Sequence, residues 1–122
     1  MAQVQATATV PPPDFSIEQL VGADSAVLLR PCGELDLATA PALEQQLLDV
    51  EEQACSLTID LRGLTFIDST GLHALVAARR RALEGGRTLR LIRGALTVQR
   101  LFEMTGTEPL FTFVDDAVSA AE

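Results

Sequence analysis

Hydrophobic and polar positions along the chain follow two periods, and their succession predicts an α/β fold. Short apolar runs predict strands near residues 15–20, 27–30, 57–61, 89–92 and 111–114, and segments of helical period lie between most of them. The first two strands form a hairpin, and the second is expected to end or bulge at Pro31, because proline has no N–H to donate. The order predicts a mixed, mainly parallel sheet with about four helices packed on it.

Each predicted helix has identifiable start and stop signals. The first begins at Thr39 or Ala40, with Pro41 in the first turn. The second follows the polar residues 68–70 and ends at the glycines 85–86, with arginines at 79–81 on a face expected to be solvated. The third ends at Gly106, and the aspartates 115–116 are expected to cap a fourth, short helix. The apolar stripes are Leu43, Leu47, Val50 and Ala54, then Leu72, Leu75, Val76, Ala82 and Leu83, then Val98, Leu101 and Phe102.

Length and composition predict one domain. The 122 residues are enough for a single hydrophobic core, and we expect a flexible, Pro-rich tail at residues 1–14 ahead of a domain at 15–122. No uncharged apolar run reaches the length of a membrane span, and the N-terminus has no signal-peptide pattern. We therefore expect a cytoplasmic protein that does not bind membranes.

Charge and the supply of reactive residues exclude several function classes. The formal net charge of −8 argues against nucleic-acid binding and favours a basic protein partner. Cys32 and Cys55 lack metal-site or disulfide-framework spacing, and the single histidine, His73, has no ligand at metal-binding spacing, so we expect neither metal nor cofactor. The chain also lacks a nucleophile–base set and a glycine-rich phosphate loop, which argues against an enzyme.

The polar residues 68–70 mark the point where an apolar strand gives way to a helix. Asp68, Ser69 and Thr70 all carry oxygens that accept hydrogen bonds from the free N–H groups of a helix start, and spacing alone favours this capping role. A phosphate on a hydroxyl is also tolerated at this positive end of a helix. Gly71 follows, and we expect it to let a partner's backbone approach closely and its replacement by alanine to stabilise the helix by up to about 1 kcal/mol.

Three short motifs in order make the chain resemble the STAS domain of bacterial anti-sigma factor antagonists. They are Gly-Glu-Leu-Asp at residues 33–36, Phe-Ile-Asp-Ser-Thr-Gly-Leu at 66–72 and Arg-Leu-Phe-Glu-Met-Thr-Gly at 100–106. The resemblance runs from about Phe15 to the C-terminus and implies a STAS-like fold. It also implies that the chain binds an anti-sigma factor, a serine kinase, and so frees a sigma factor. Phosphorylation of Ser69 by that kinase would switch the chain off.

The resemblance also implies roles for the residues around the phosphate acceptor. The implied partner-facing residues are Asp36, Asp68, Thr70, Gly71 and Leu72, although position alone makes Asp36 a turn residue at a strand end. In the third motif, Leu101 and Phe102 are expected in the core and Met104 at the rim of the interface. The alternative is a STAS domain that serves as a scaffold, or as a subunit of a lipid-transport complex, without a kinase switch. Such a domain needs no acceptor serine beside Asp68.

Overall fold

A mixed six-stranded sheet and three α-helices make up the part of the chain that the computed structural model describes, residues 12–116. The strands are β1 (Ser16–Val21), β2 (Ala26–Leu35), β3 (Ser56–Asp60), β4 (Leu64–Ile67), β5 (Thr88–Ile92) and β6 (Phe113–Val114). The helices are α1 (Ala40–Glu51), α2 (Ser69–Gly85) and α3 (Leu96–Thr105). β1 and β2 are antiparallel and the other strand pairs are parallel, so the predicted fold class is confirmed.

The second strand bends and changes its neighbour halfway along. The strand order is β1-β2-β3-β5-β6, but β2 pairs with β3 only up to Leu29 and with β4 from Gly33 onward. Pro31 lies between the two paired regions, where it has no N–H to donate. Gly33 has φ +114°, and the register shifts between Gly33 and Glu34. The bend therefore lays the last residues of β2 beside β4.

The turn between β3 and β4 is built around the buried carboxylate of Asp60. Its Oδ1 accepts hydrogen bonds from the backbone N–H and the Nε of Arg62, both at 3.0 Å, and its Oδ2 accepts from Arg62 Nη2 and Arg30 Nε, both at 2.9 Å. Burial alone would raise the pKa of Asp60, but the hydrogen bonds from Arg62 and Arg30 outweigh it and hold the pKa below its usual range. Because Arg30 belongs to β2, this carboxylate ties β2 to the 3₁₀ turn Leu61–Gly63.

Aliphatic side chains from the strands and helices form one hydrophobic core. Its largest fully buried side chains are Leu29, Leu35, Leu43, Leu47, Ile59, Leu61, Leu64, Leu75, Leu91, Ile92, Val98 and Phe102. Helices α1 and α2 pack against each other, and the buried Glu51 at the end of α1 accepts hydrogen bonds from Arg81 Nε (2.7 Å) and Nη2 (2.9 Å). These bonds raise the pKa of Arg81. The pair therefore joins the two helices at their contact.

Helix α3 is held to β6 and to the segment just before it by aromatic contacts. The ring of Phe102 packs edge-to-face on Phe111 and Phe113, with centroid distances of 5.5 and 5.2 Å. Leu101, on the same helix, is half-buried against the core. The core positions expected for Phe102 and Leu101 therefore agree with the structure. α3 also contacts β4, which places one of its faces beside the end of that strand.

The structure corrects several details of the predicted elements. The segment predicted as one strand before the polar residues 68–70 is two strands, because Asp60 turns the chain out of β3 before β4 begins. β2 does not end at Pro31 but continues to Leu35. Leu83 is 64% exposed, and the buried stripe of α2 uses the alanines 74 and 78 instead. Arg81 is only partly exposed, because it pairs with the buried Glu51 described above.

Two predictions concern residues outside the described part of the chain. The short helix predicted to follow the aspartates 115–116 falls on residues outside the described range, and so do residues 1–11 of the predicted tail. Within the tail region that is described, Pro12 accepts a hydrogen bond from the backbone N–H of Phe15 at 3.0 Å, and Phe15 is buried. Of the helices in residues 12–116, none has both the length and the apolar character required to cross a membrane.

Replacement of Asp60 by asparagine is expected to lower the free energy of unfolding by about 1–3 kcal/mol near neutral pH, because donors that now share two carboxylate oxygens would have one amide oxygen. The carboxyl pKa is lower in the folded state, so the stabilisation is fully present above the ordinary value of about 3.9 and is lost as the pH falls through the folded pKa. The difference between wild type and Asp60→Asn should therefore shrink on acidification. Urea denaturation of both proteins, from neutral pH down through the folded pKa of Asp60, measures this difference in the free energy of unfolding.

Glu18→Gln is the matched control for this prediction. The Glu18 carboxylate pairs with Nη1 of the same Arg30 at 3.3 Å, but its side chain is 61% exposed. An exposed ion pair contributes about 0–1 kcal/mol, so this variant should stay close to wild type. Equal losses in the two variants, or a loss in Asp60→Asn that does not change with pH, would contradict the role given to the buried carboxylate.

Candidate functional site: the corner between β4 and α2

The end of β4 and the start of α2 form a corner that presents Ser69 to solvent. Asp68 is the N-cap residue, because its backbone is extended and its Oδ1 accepts a hydrogen bond from the backbone N–H of Gly71 at 3.0 Å. The backbone N–H of Asp68 donates to the Leu35 carbonyl at 3.1 Å, which fixes the corner to the end of β2. Of the three cap candidates in the sequence, Asp68 takes the role, and Ser69 is the first residue of α2.

Ser69 and Thr70 differ in exposure although they are neighbours. Ser69 is exposed, and within residues 12–116 its hydroxyl makes no hydrogen bond. Thr70 is half-buried, because successive helical residues point about 100° apart. The capping role that spacing favours for Ser69 is thus filled by Asp68. The Ser69 hydroxyl is left accessible to a protein that docks on the corner.

Asp36 is the first residue after β2, and Asp68 is the first residue after the neighbouring strand β4. Leu35 and Ile67 are register partners at the ends of the parallel strands β2 and β4, so the residues that follow them leave the same edge side by side. Oδ1 of Asp36 accepts hydrogen bonds from the backbone N–H and the hydroxyl of Thr39, both at 3.2 Å. The structure therefore gives Asp36 the turn role that its position predicts. It also brings a second carboxylate to the corner.

Gly71 and Leu72 are buried, which corrects their assignment to direct partner contact. A Cβ at Gly71 would lie 2.7 Å from Cγ and 2.8 Å from the carbonyl oxygen of Leu35. The close backbone approach expected at Gly71 exists, but β2 of the same chain makes it. Leu72 is 3% exposed and belongs to the core. Both residues hold α2 against the sheet and so position Ser69.

Two exposed apolar side chains near the corner were not singled out by the sequence. Leu37, directly after Asp36, is 74% exposed, and Phe66 of β4 is 47% exposed. Strand alternation does not predict the exposure of Phe66, because β4 buries both Leu64 and Ile67 and so does not follow a period of two. Leu37 follows a strand end in a turn, where no periodicity applies. The two side chains add apolar surface around an otherwise polar corner.

The corner combines the positive end of a helix with two carboxylates. α2 has 17 residues, and its free N–H groups carry the equivalent of about half a positive charge. A phosphate on Ser69 would gain about 0.3–1 kcal/mol from this helix end. Asp36 and Asp68 would repel it by a similar amount, since water screens exposed charges to roughly this level. The free domain can therefore carry phosphate on Ser69 with little change in stability.

The single histidine and the two cysteines of the chain all lie among the described residues. His73 is exposed on α2, and Cys32 and Cys55 are free thiols, half-buried and exposed respectively. In the part of the chain that the structure describes, no group of three or more His, Cys, Asp or Glu side chains is arranged to hold a metal ion.

Comparison with known proteins identifies the family. The family model of the STAS domain matches residues 18–121, which is most of the chain. The chain belongs to the STAS domain family. The anti-sigma-B factor antagonist of Bacillus subtilis strain 168 is 33% identical over 78 residues, 64% of this chain and 72% of that protein. This STAS domain is accordingly grouped with the anti-sigma factor antagonists of the family, which are regulatory binding proteins.

Solved structures agree with this grouping. The crystal structure of an anti-sigma factor antagonist from Mycobacterium paratuberculosis matches with a TM-score of 0.76 at 30% identity, over 92% of this chain and 96% of that one. The Bacillus cell-fate determinant SpoIIAA in its phosphorylated form has a TM-score of 0.69 at 17% identity, over 87% of this chain and 96% of that one. The second match shows the fold alone. The STAS-like fold expected from the sequence is confirmed.

Gly71→Ala is expected to destabilise this STAS domain by about 1–3 kcal/mol, because the added methyl group overpacks the contact between α2 and β2. Helix propensity alone predicts the opposite, that Gly71→Ala raises the free energy of unfolding. Urea denaturation measures the loss.

Gly22→Ala is the matched control, because a Cβ at Gly22 would meet no atom closer than 3.8 Å and the backbone φ there is −102°. The control should be neutral or stabilised by up to about 1 kcal/mol. If Gly71→Ala were as stable as Gly22→Ala, the close contact with Leu35 would not constrain the corner.

Proposed function

We propose that this STAS domain binds an anti-sigma factor that is a serine kinase, and that phosphorylation of Ser69 by this kinase ends the complex. Binding occupies the anti-sigma factor and frees a sigma factor, in the cytoplasm where sigma factors work. The domain acts as a binding partner and a phosphate acceptor, not as an enzyme. One observation carries the proposal: the Ser69 hydroxyl is exposed and has no hydrogen-bond partner in residues 12–116, while Asp68 caps the helix.

The relatives and the charge support this class of partner. The Bacillus subtilis relative is named an anti-sigma-B factor antagonist, and SpoIIAA, which shares the fold, exists in a phosphorylated form. The net charge of −8 favours association with a partner whose docking surface is positive. Asp36 and Asp68 place two of the negative charges at the corner itself.

A phosphate on Ser69 acts on the complex rather than on the fold. At neutral pH it adds about −1.5 to −2 charges beside Asp36 and Asp68. In the free domain these charges remain in water. In the complex the phosphate would lose its water against the partner, at an effective cost of several kcal/mol per buried ion, which exceeds the gain of about 0.3–1 kcal/mol from an exposed helix end. Since about 1.4 kcal/mol changes an affinity tenfold, release follows.

The alternative is a STAS domain that serves as a scaffold or as a transport-complex subunit without a kinase switch. Such a domain has no need of an accessible hydroxyl at the corner. The exposed Ser69 is therefore the feature that favours the regulated antagonist. The alternative predicts that an added charge at Ser69 leaves partner binding unchanged.

The variants Ser69→Ala and Ser69→Asp are expected to separate binding from folding. Ser69→Ala removes a hydroxyl that Asp68 does not need for capping, so its stability should stay within about 0.5 kcal/mol of wild type and its affinity for the anti-sigma factor should be unchanged. Ser69→Asp places a charge at the centre of the docking surface and should weaken binding by tenfold or more. Calorimetric titration of the purified anti-sigma factor with each variant measures both affinities.

Thr88→Asp is the control for the added charge. Thr88 is exposed and begins β5, at the opposite end of the parallel strands from the corner. The Thr88→Asp variant should bind the anti-sigma factor with wild-type affinity. If Ser69→Asp also bound like wild type, the phosphorylation switch would be refuted and the scaffold alternative favoured.

Phosphate transfer from ATP by the anti-sigma kinase is expected to modify Ser69 and not Thr70. Both lie in the first turn of α2, but Ser69 is exposed and Thr70 is half-buried. Site-resolved mass spectrometry of wild type, Ser69→Ala and Thr70→Ala after the reaction identifies the acceptor. Thr70→Ala should be phosphorylated and Ser69→Ala should not. Phosphate found mainly on Thr70, or only on Thr7 or Thr9, would show that the acceptor is assigned wrongly.

A further inference from the structure

A groove between β4 and α3 opens beside the corner. It has a volume of about 330 Å³ and is lined by Phe66, Ile67, Thr97, Arg100, Leu101 and Met104. Phe66 is 47% exposed and Met104 is 76% exposed, so the two walls present aromatic and thioether surface to water. Contiguous apolar surface rimmed by polar residues marks interaction sites on soluble proteins. These residues are named the β4–α3 groove below.

Arg100 places at the groove a positive charge that forms no ion pair within the described residues. Several other arginines are engaged within the domain: Arg30 and Arg62 bind Asp60, and Arg81 binds Glu51. Arg100 is exposed, and it forms no ion pair or hydrogen bond with any residue that the structure describes. Its guanidinium is therefore free to pair with a carboxylate of another protein, in a geometry that arginine favours.

The groove is continuous with the surface around Ser69. Phe66 precedes Ser69 by three residues, so their Cα atoms are at most about 11 Å apart. A stable protein interface covers about 800 Å² on each partner, which corresponds to a disc of roughly 16 Å radius. A kinase centred on Ser69 therefore also covers Phe66. Aromatic residues, methionine and arginine are the types enriched in interfaces, and the groove contains one of each.

We propose that the β4–α3 groove is a second docking contact for the anti-sigma factor, occupied by an apolar side chain of that protein with a carboxylate beside it. The apolar side chain packs between Phe66 and Met104, and the carboxylate pairs with Arg100. This inference rests on the proposed function and extends it. The contact lies outside the phosphate acceptor, so it supplies affinity that does not require the Ser69 hydroxyl.

Three variants test the groove, with the purified anti-sigma kinase of the same bacterium as the probe and no ATP present. Phe66→Ser and Met104→Ser remove apolar surface and should each weaken binding about tenfold, in the range of interface hot spots. Arg100→Glu should weaken binding by a similar factor at low salt. Its effect should diminish near 1 M salt, where the screening length falls to about 3 Å, whereas the apolar variants should keep theirs.

Two exposed residues of α2 provide matched controls. Leu83 is 64% exposed and lies 14 positions beyond Ser69 in the same helix, about 21 Å along the axis, so Leu83→Ser removes a comparable apolar side chain away from the corner. Arg80 is exposed and, like Arg100, makes no ion pair among the described residues, so Arg80→Glu is the matching charge reversal. Both controls should bind like wild type.

The possible results test the groove contact and the proposed function separately. Losses confined to the groove variants support the contact. Wild-type affinity in all three groove variants, together with a loss in Ser69→Asp, would overturn the groove and leave the proposed function standing. No binding by the wild-type domain would overturn both. Far-UV circular dichroism checks the fold of each variant, and Met104→Ser keeps the test decisive if Phe66→Ser does not fold, because Met104 is the more exposed side chain.

Discussion

The buried carboxylate of Asp60 is the interaction on which the position of the corner depends. It holds Arg30 of β2 and both the backbone and the side chain of Arg62, so the chain must leave β3 where Asp60 ends it. The turn that follows lies against β2 so closely that a Cβ at Gly63 would be 2.8 Å from the Pro31 carbonyl oxygen. Only a turn in this place lets β4 run beside the bent end of β2. The pairing of Leu35 with Ile67, and with it the juxtaposition of Asp36 and Asp68, follows from that constraint.

At the corner, Asp68 and Gly71 make the structural contacts, and the neighbouring Ser69 is the proposed phosphate acceptor. Asp68 caps the helix and is bonded to β2, and Gly71 lets the helix approach β2, whereas Ser69 makes no bond in the described residues and faces solvent. A residue that receives a phosphate must be dispensable for folding, because otherwise each modification would also unfold the domain. Capping by Asp68 makes Ser69 dispensable in this sense.

The sequence predicted what local periodicity and capping chemistry determine, and it missed what depends on tertiary contact. The helix start at Thr39 and Pro41 and the end at Gly106 were readable because their chemistry is local. The separation of β3 from β4 could not be predicted from the sequence, because it depends on the ion pair of Asp60 with Arg30, thirty residues away in sequence. The close contact between Gly71 and Leu35 was not predictable for the same reason, since helix propensity contains no information about Leu35. Residues 33–36 and 66–72 indicated the site, but only the strand register shows why they lie together.

The size of the effect that the proposed switch needs restricts where Ser69 lies in the proposed complex. A change from nearly complete binding to nearly complete release requires roughly a 10⁴-fold difference, about 5.5 kcal/mol. Surface repulsion from Asp36 and Asp68 supplies at most about 1 kcal/mol each in water, which is too little. Dehydration of a phosphate supplies several kcal/mol, but only where the partner excludes water. Ser69 is therefore expected at the centre of the interface, and the exposed apolar side chains of Leu37 and Phe66 are placed to seal it from solvent.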